Sequence, residues 1–584
     1  MKRGENMKLT MHDYFTNAGL VGMYQVLERT HLVEVKQSGF ELSASSIEGF
    51  AESFFDTLLE KFDVAEQDRR RMTKQLSFAR KEKAFTNAKK SIQQRIKQNL
   101  VKCKKAEIDA LLIIKIEGIL EQMKLIKKYE QLKELEILIE EYLQILKEEV
   151  VNNVLTLNYI RYVLGILHGQ VSFLNPSFKG SKEEYVAKFE TDFLMPVREE
   201  LKLLEERQLI APGDRLEWYK SRQNDNELTK VGKQLLKTLY KQEAMYGRFV
   251  PCSIFPDVPG LLYFEEKMFY PLGLSLDNAE NMKWNGVGGL PISYTASLIL
   301  FCSSLGMLFF NKRLYDSQYV GVAEYQPFFS FINADTSFSE MLRLNRQLHL
   351  KHDKENPFEE LIIDSVLDET KEISRWTLEN LLYVEFGVEK KNTKLHYFHI
   401  PRRLADYFTA KGQLMTLSRI QNPRFRYEIV SLLLHQQEPL MRIHRQLHES
   451  VLEKRIATDC FIAIKNHYVV RHYLKGVKDV EQKVLDSFFS SGIDMRRSYY
   501  KDNQLHQLEG VCLRLLNATQ SNNKRVFMDT LLRMYVAKGK IIRKEMMQLH
   551  HESEVSFQEA AQCFIAGLNG YIKEEQQKKV EENE

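Results

Sequence analysis

The 584-residue chain has only six cysteines, at Cys103, Cys252, Cys302, Cys460, Cys512 and Cys563, and no two form a C-x-x-C pair. Without such pairs there is no sequence-local metal knuckle, and sparse unpaired thiols suit a reducing compartment, so a cytoplasmic location is expected. Net charge is nearly absent too. With 83 basic and 79 acidic side chains the balance is +4, so charge summed over the whole chain selects no partner. No proline follows Pro439, which leaves the C-terminal part without the strongest helix breaker.

Catalytic signatures are missing as well. There is no G-x-x-x-x-G-K-[ST] loop, no H-E-x-x-H helix and no G-x-S-x-G elbow. His349 and His352, His396 and His399, and His444 and His448 are spaced to share helix faces, but none has the further ligands that a metal site needs. His352–Asp353 forms an isolated HD dipeptide. The expectation is therefore a non-enzyme with no cofactor and no metal. The alternatives are a cryptic metal-dependent phosphohydrolase using His352 and Asp353, and a helical scaffold or membrane-associated protein.

Long apolar runs are few. NAGLVGMYQVLERT (Asn17–Thr30) is too short for a signal peptide and carries no nucleotide-binding fingerprint. Val21, Tyr24 and Leu27 recur at helical spacing, Gly19 and Gly22 permit close backbone approach, and Asn17 is placed to cap the helix. Asn285–Asn311 is uncharged over about one bilayer-spanning length. Pro291, four glycines and its split apolar core make a buried core helix the better reading.

Strand-like HLVEV and FELSA (His31–Val35, Phe40–Ala44) precede a helix expected over about residues 46–62. The charge then changes abruptly. Between Arg69 and Lys105 fourteen Lys and Arg face one acid, Glu82, for a local charge of +13. From Ala106 to Glu149 eleven acids outweigh six lysines, with apolar residues at helical spacing. Together these segments predict a long projecting helical arm, with a helical hairpin as its alternative form. After Pro439 helix-compatible stretches follow one another. The expected architecture is α-rich mixed α/β, with segments at 1–65 (mixed), 66–150 (basic/acidic arm), 151–440 (mixed α/β body) and 441–584 (all-α bundle).

The basic block would attract a polyanion with salt-sensitive affinity. HYFHIPRR (His396–Arg403), NPRFRYE (Asn422–Glu428) and NHYVVRHYLK (Asn466–Lys475) interleave cations with rings, a combination suited to phosphate contact plus base stacking.

A series of motifs recurs in a recognisable order: NAGLVGMYQVLE, then GQVSFLNPSF (Gly169–Phe178), FYPLGL (Phe269–Leu274), LPISYTASLILFCSSLGM (Leu290–Met307), NKRVFMDTLLRMY (Asn523–Tyr535) and FIAGLNGY (Phe564–Tyr571). In this order the chain resembles the large subunit of a type I-B CRISPR Cascade surveillance complex, of the Cst subfamily. It departs from that subfamily in lacking its two C-x-x-C pairs, which are expected to bind zinc. The resemblance implies a non-catalytic subunit that recognises the protospacer-adjacent motif (PAM) in duplex DNA, promotes strand opening and serves as platform for a helicase-nuclease. The implied partners are crRNA, target duplex, displaced single strand and sister subunits, with no membrane. It also implies that the C-terminal bundle is similar to Cascade small subunits, with Met441 as a candidate internal start. Charge and position nominate Arg69, Arg70, Arg71, Lys74, Arg80, Lys89 and Lys90 for duplex phosphates, and Lys283, Trp284, Asn285, Gly286 and Gly288 for a PAM-proximal loop. Arg471, Arg514, Arg533 and Lys540 are nominated for single-stranded DNA.

Overall fold

The computed structural model describes residues 7–570 apart from 31–32, 81, 179, 224, 226–227, 273–282, 285–286, 315–323, 353–356, 359, 363–379, 390–391, 410–416, 418, 454, 478–481 and 548–554. The chain divides into two compact units. The first comprises Met1–Asn333, Ser337–Arg346 and Glu385–Leu395, and the second Ala334–Thr336, Gln347–Val384 and His396–Glu584.

The first unit opens with β1 (Met7–Thr10), α1 (Tyr14–Thr30), β2 (Val35–Lys36) and β3 (Gly39–Leu42), the strands forming a small antiparallel sheet in the order β1-β3-β2. Seven helices follow: α2 (Phe50–Lys61), α3 (Val64–Ala79), α4 (Glu82–Lys105), α5 (Ala110–Leu125), α6 (Leu132–Lys147), α7 (Glu149–His168) and α8 (Lys182–Phe189). A π turn then leads into α9 (Met195–Gln208), α10 (Arg215–Gln223) and α11 (Lys230–Tyr246). Short strands β4 (Leu262–Tyr263), β5 (Lys283–Trp284), β6 (Val287–Gly288) and β7 (Pro291–Ile292) precede α12 (Tyr294–Gly306). Beyond it β8 (Leu308–Leu314) pairs antiparallel with β9 (Glu324–Ala334), from Leu308↔Ser330 to Leu314↔Glu324. After α13 (Phe338–His349), β10 (Leu381–Glu389) and β11 (Asn392–His399) complete a four-stranded sheet in the order β11-β10-β9-β8.

At the centre of this unit α1 packs on α12 with backbone touching backbone. A Cβ added at Gly19 would lie 2.2 Å from the Ile299 carbonyl oxygen, one at Gly22 2.0 Å from that of Cys302, and one at Gly306 1.9 Å from that of Ala18. No side chain fits there, so the sequence expectation for Gly19 and Gly22 holds. The cap does not. The helix starts at Tyr14, and Asp13 caps it by accepting the Phe15 and Thr16 N–H groups at 2.9 and 3.1 Å. Asn17 lies inside the first turns, where its side chain accepts the His12 N–H and donates to Asn333 Oδ1 at 2.8 Å.

α12 is 13 residues long, about 20 Å at 1.5 Å per residue, and buried at every position from Thr295 to Gly306 except Ser297. It is the core helix expected and is too short to cross a bilayer. Among the described residues one helix, α7, has the length and apolarity for a span, and nearly half of that stretch is buried inside the protein. Charged side chains hold both ends of α12. The buried Glu200 carboxylate accepts the Tyr294 and Thr295 N–H groups at 3.1 and 2.7 Å and the Thr295 hydroxyl at 2.7 Å. Lys61 Nζ donates to the Leu305 and Met307 carbonyls at 2.6 and 2.9 Å. An anion at the N-terminus and a cation at the C-terminus match the helix dipole. Burial still dominates both groups, raising Glu200 to about 7 and lowering Lys61 to about 7.

Within the expected arm, the helical stretch after Ala106 breaks into two helices, α5 and α6. The chain turns extended at Ile126, and Gln131 Oε1 accepts the Lys127 and Lys128 N–H groups at 3.0 and 3.3 Å, replacing helical partners. α3 to α6 and the start of α7 share their own apolar core, with Ile96, Met123, Leu135 and Tyr142 almost fully enclosed. The arm is thus a bundle.

Within the second unit the structure is helical from α14 (Arg402–Thr409) onward: α15 (Pro423–Leu434), α16 (Leu440–Leu452), α17 (Thr458–Leu474), α18 (Lys483–Lys501), α19 (Leu508–Gln520), α20 (Lys524–Ala537), α21 (Lys544–Met547) and α22 (Phe557–Leu568). The all-α C-terminus is as expected. α18 and α22 repeat the glycine device. A Cβ at Gly492 would meet the Phe564 carbonyl oxygen at 2.2 Å, and one at Gly567 that of Phe489 at 2.1 Å.

Gly22→Ala and Gly306→Ala are each expected to cost about 3 kcal/mol or more by forcing the helices apart. Gly118→Ala, with nothing within 4 Å of the new methyl group, should stabilise by roughly 0.5–1 kcal/mol. Denaturant unfolding of the three variants measures this contrast.

A second expectation concerns pH. A carboxyl raised from its unfolded range to about 7 contributes stability below about pH 4.5 that is lost as the pH climbs through 7. Relative to Glu200→Gln, the parent chain should lose on the order of 3 kcal/mol between pH 4.5 and pH 8. Chemical denaturation across that range checks it, and parallel stability curves for the two proteins would rule it out.

Candidate nucleic-acid interface

The basic block folds as α3 and α4. α3 is capped by Asp63, which accepts the Glu66 N–H at 3.1 Å. Beneath the basic surface lies a buried polar network. The fully enclosed Asp68 carboxylate pairs with Arg95 at 2.8 Å and accepts from Asn99 at 2.6 Å, and Asn99 also donates to the Tyr142 hydroxyl at 2.9 Å. One buried carboxylate therefore ties α3, α4 and α6 together. Arg95 is a structural cation and Asp68 its counter-ion.

The nominated cations sort into two groups. Arg69 grips Glu66 through two bonds of 2.7 Å, and Arg70 reaches the same carboxylate at 2.8 Å. These guanidiniums, Arg69 foremost, hold the Glu66 carboxyl down at about 2. Arg71 stands 4.0 Å from Asp68, Arg80 pairs with Glu136 at 3.2 Å, and Lys89 donates to the Ile126 carbonyl. Lys74 and Lys90 are exposed and have no partner among the described residues. The same holds for Lys97 and Lys105, which lie in the block but were not singled out by charge and position. Helical phase against the buried Phe85, Ile92, Ile96 and Cys103 is the signal that separates them.

Of the nominated PAM-proximal residues, Lys283, Trp284 and Gly288 lie on the antiparallel pair β5 and β6, with Lys283 opposite Gly288 and Trp284 opposite Val287. Asn285 and Gly286 lie outside the described residues. The pair leads through Gly289, at a φ of 98°, into β7, which pairs with β4.

In the second unit Arg471 donates to the buried Glu559 at 2.9 Å, Arg533 pairs with Asp529 on its own helix, and Lys540 donates to the Asp494 carbonyl. Arg514 is exposed, with no partner among the described residues, and lines a groove of about 440 Å³ with Asn517, Ser521 and Asn523. The basic-aromatic clusters divide likewise. Phe425, Tyr468 and Tyr473 are buried core rings, out of reach of a base, whereas Tyr397 on β11 is 73% exposed.

Of the histidines, His352 Nδ1 sits 3.2 Å from the His349 carbonyl oxygen, and Asp353 lies outside the described residues. Among the described residues no three His, Cys, Asp or Glu side chains are grouped to hold a metal.

Residues 258–308, from the loop before β4 through α12 to the first residue of β8, match a family model described as CRISPR-associated protein (Cas_CXXC_CXXC). Over this segment the chain is similar to CRISPR-associated proteins. No curated protein and no solved structure matches it. The cysteine pairs in the family's name are missing here. The matched stretch holds Cys302 alone, enclosed in α12. Nearby Cys252 is followed three positions on by Phe255, and its sulfur instead accepts the Ile254, Phe255 and Ser293 N–H groups at 3.4, 3.4 and 3.3 Å. These residues do not fit a cysteine-bound zinc ion.

Glu66→Ala should cost under about 1 kcal/mol, because its pairs are surface pairs, while releasing Arg69. Asp68→Ala leaves Arg95 unpaired in a largely enclosed site and should cost about 3 kcal/mol or more. Thermal unfolding distinguishes the two, and Glu66→Ala should at the same time bind duplex DNA more tightly at low salt.

Proposed function

We propose that the chain is the large subunit of a crRNA-guided DNA surveillance complex of the type I-B Cascade kind. In this reading it recognises the PAM in duplex DNA, promotes strand opening and serves as platform for a helicase-nuclease. The observation that carries it is the CRISPR-associated match over 258–308, which contains the Leu290–Met307 motif and the nominated PAM-proximal residues. The exposed lysines of the basic bundle add an electrostatic surface of the right sign for a polyanion. The chain's part is non-catalytic. Base pairing with the guide reads the target, and the protein reads a short flanking motif and the shape of the duplex.

Guide RNA and sister subunits are the chain's immediate partners, with target duplex and displaced strand as ligands of the assembly. Affinity-tagged chain purified from its host should bring down small RNA sharing a repeat-derived sequence. The assembled complex should lose about 1–3 kcal/mol of duplex affinity for each substituted base pair of the flanking motif. Sequencing the bound RNA and measuring binding to a panel of flanking sequences test both points. Indifference to the flanking sequence would remove the recognition role.

A further inference from the structure

The cations of α4 are unevenly used. Arg95 and Lys104 are engaged by Asp68 and Glu117, and Lys89 by a carbonyl. The outward face carries Asn87, Lys90, Gln94, Lys97, Gln98 and Lys105, all exposed and, among the described residues, without hydrogen-bond or ion-pair partners. No acid occurs from Lys83 to Lys105. Four carboxylates of the bundle are committed elsewhere: Glu66 to Arg69 and Arg70, Asp68 to Arg95, Glu136 to Arg80, Glu117 to Lys104. The face is therefore positive and carries no acid of its own.

Along the helix Lys90 and Lys97 stand ~10 Å apart, and Lys97 and Lys105 ~12 Å, a straight row of ~22 Å. That length covers about six base pairs of a duplex at ~3.4 Å each. The exposed amides beside the lysines are donors of the kind that meet phosphate and sugar oxygens. What the face lacks decides the kind of nucleic acid. Single-strand tracks use rings on which bases stack, and the only ring on α4, Phe85, is buried against Tyr129 at a centroid distance of 5.9 Å.

We infer that the outward face of α4 is a docking track for the phosphate backbone of duplex DNA. The choice of DNA rests on the function proposed above, and the choice of duplex rests on the face itself. The track positions the duplex and reads no sequence, because lysine–phosphate contacts are the same at every base pair.

The test uses the full chain and a labelled duplex of about 30 base pairs, alongside one of its strands and an RNA duplex of the same sequence. Binding is followed by fluorescence anisotropy over a salt series. Lys90→Gln, Lys97→Gln and Lys105→Gln combined should lower the slope of log affinity against log salt by about 2–3 and weaken duplex binding roughly tenfold or more. Removing equal charge elsewhere, with Lys233→Gln, Lys237→Gln and Lys241→Gln on α11, should leave both unchanged. Unaltered melting of the triple variants shows that folding is not the cause. A wild-type slope in the α4 variant overturns the inference, as does tighter binding of the single strand or of the RNA duplex than of the DNA duplex. A guide-loaded complex that keeps its flanking-sequence dependence while the α4 variant binds normally sinks the track alone. A chain that carries no guide RNA sinks the proposed function, and the duplex titration of the isolated protein still reads the track.

Discussion

Each unit depends on a place where two helices meet closer than any side chain allows. Around α1 and α12 the contact is made by Gly19, Gly22 and Gly306, and around α18 and α22 by Gly492 and Gly567, in every case against a carbonyl oxygen about 2 Å from where a Cβ would sit. A helix brought that near loses the freedom to slide or rotate, so its ends must be satisfied where they fall. For α12 the partners are Glu200 and Lys61, two charged groups taken out of water to close the termini of a buried helix. Their cost is tolerated because the alternative is a set of buried, unpaired backbone groups. The segment matched by the CRISPR-associated family ends just beyond this helix. What the match detects there is largely packing.

The motif order had the same origin. NAGLVGMYQ contains Gly19 and Gly22, CSSLGM contains Gly306, and FIAGLNGY contains Gly567. Their diffuse character follows from what they do: a close helix crossing demands a small residue at one phase of the helix and apolar residues beside it, nothing more. The helices of the C-terminus were legible for a similar reason, through strong periodicity with no proline to interrupt it. The cap of α1 was not, because Asp13 and Asn17 are both good capping residues, and only the three-dimensional position of Asn333 shows that Asn17 is engaged in the interior.

Partners distant in sequence account for most of what could not be read. Glu200 closes the start of α12, 94 residues later in the chain, and Lys61 reaches the Leu305 carbonyl at its other end, 244 residues away. The strands β8 and β9 sat in apolar stretches that suit helix or strand equally, and pairing across the intervening chain decides between them. The cation block shows how far composition can mislead about a site. A charge of +13 says nothing about which side chains are spent, and Arg69, Arg70, Arg80, Lys89 and Arg95 all are. The exposed rows that remain are fixed by which residues of α4 are buried, a phase visible in the sequence once the helix is known to be one wall of a bundle.

Cys252, just before the segment that matches the cysteine-pair family, shows how one sulfur can hold a turn together. Three backbone N–H groups converge on it, two from Ile254 and Phe255 just downstream and one from Ser293 at the cap of α12. A thiol is a weak acceptor, yet here it serves donors that would otherwise be buried without partners, and it links the turn after Pro251 to the start of the central helix. Phe255, three residues on, is buried in the core of the same unit. Burial raises the Cys252 thiol above its ordinary range, which favours the neutral S–H over the thiolate that metal binding and redox chemistry need. In this chain the turn is therefore held by hydrogen bonds and apolar packing, and the Ser293 contact ties it to the start of α12.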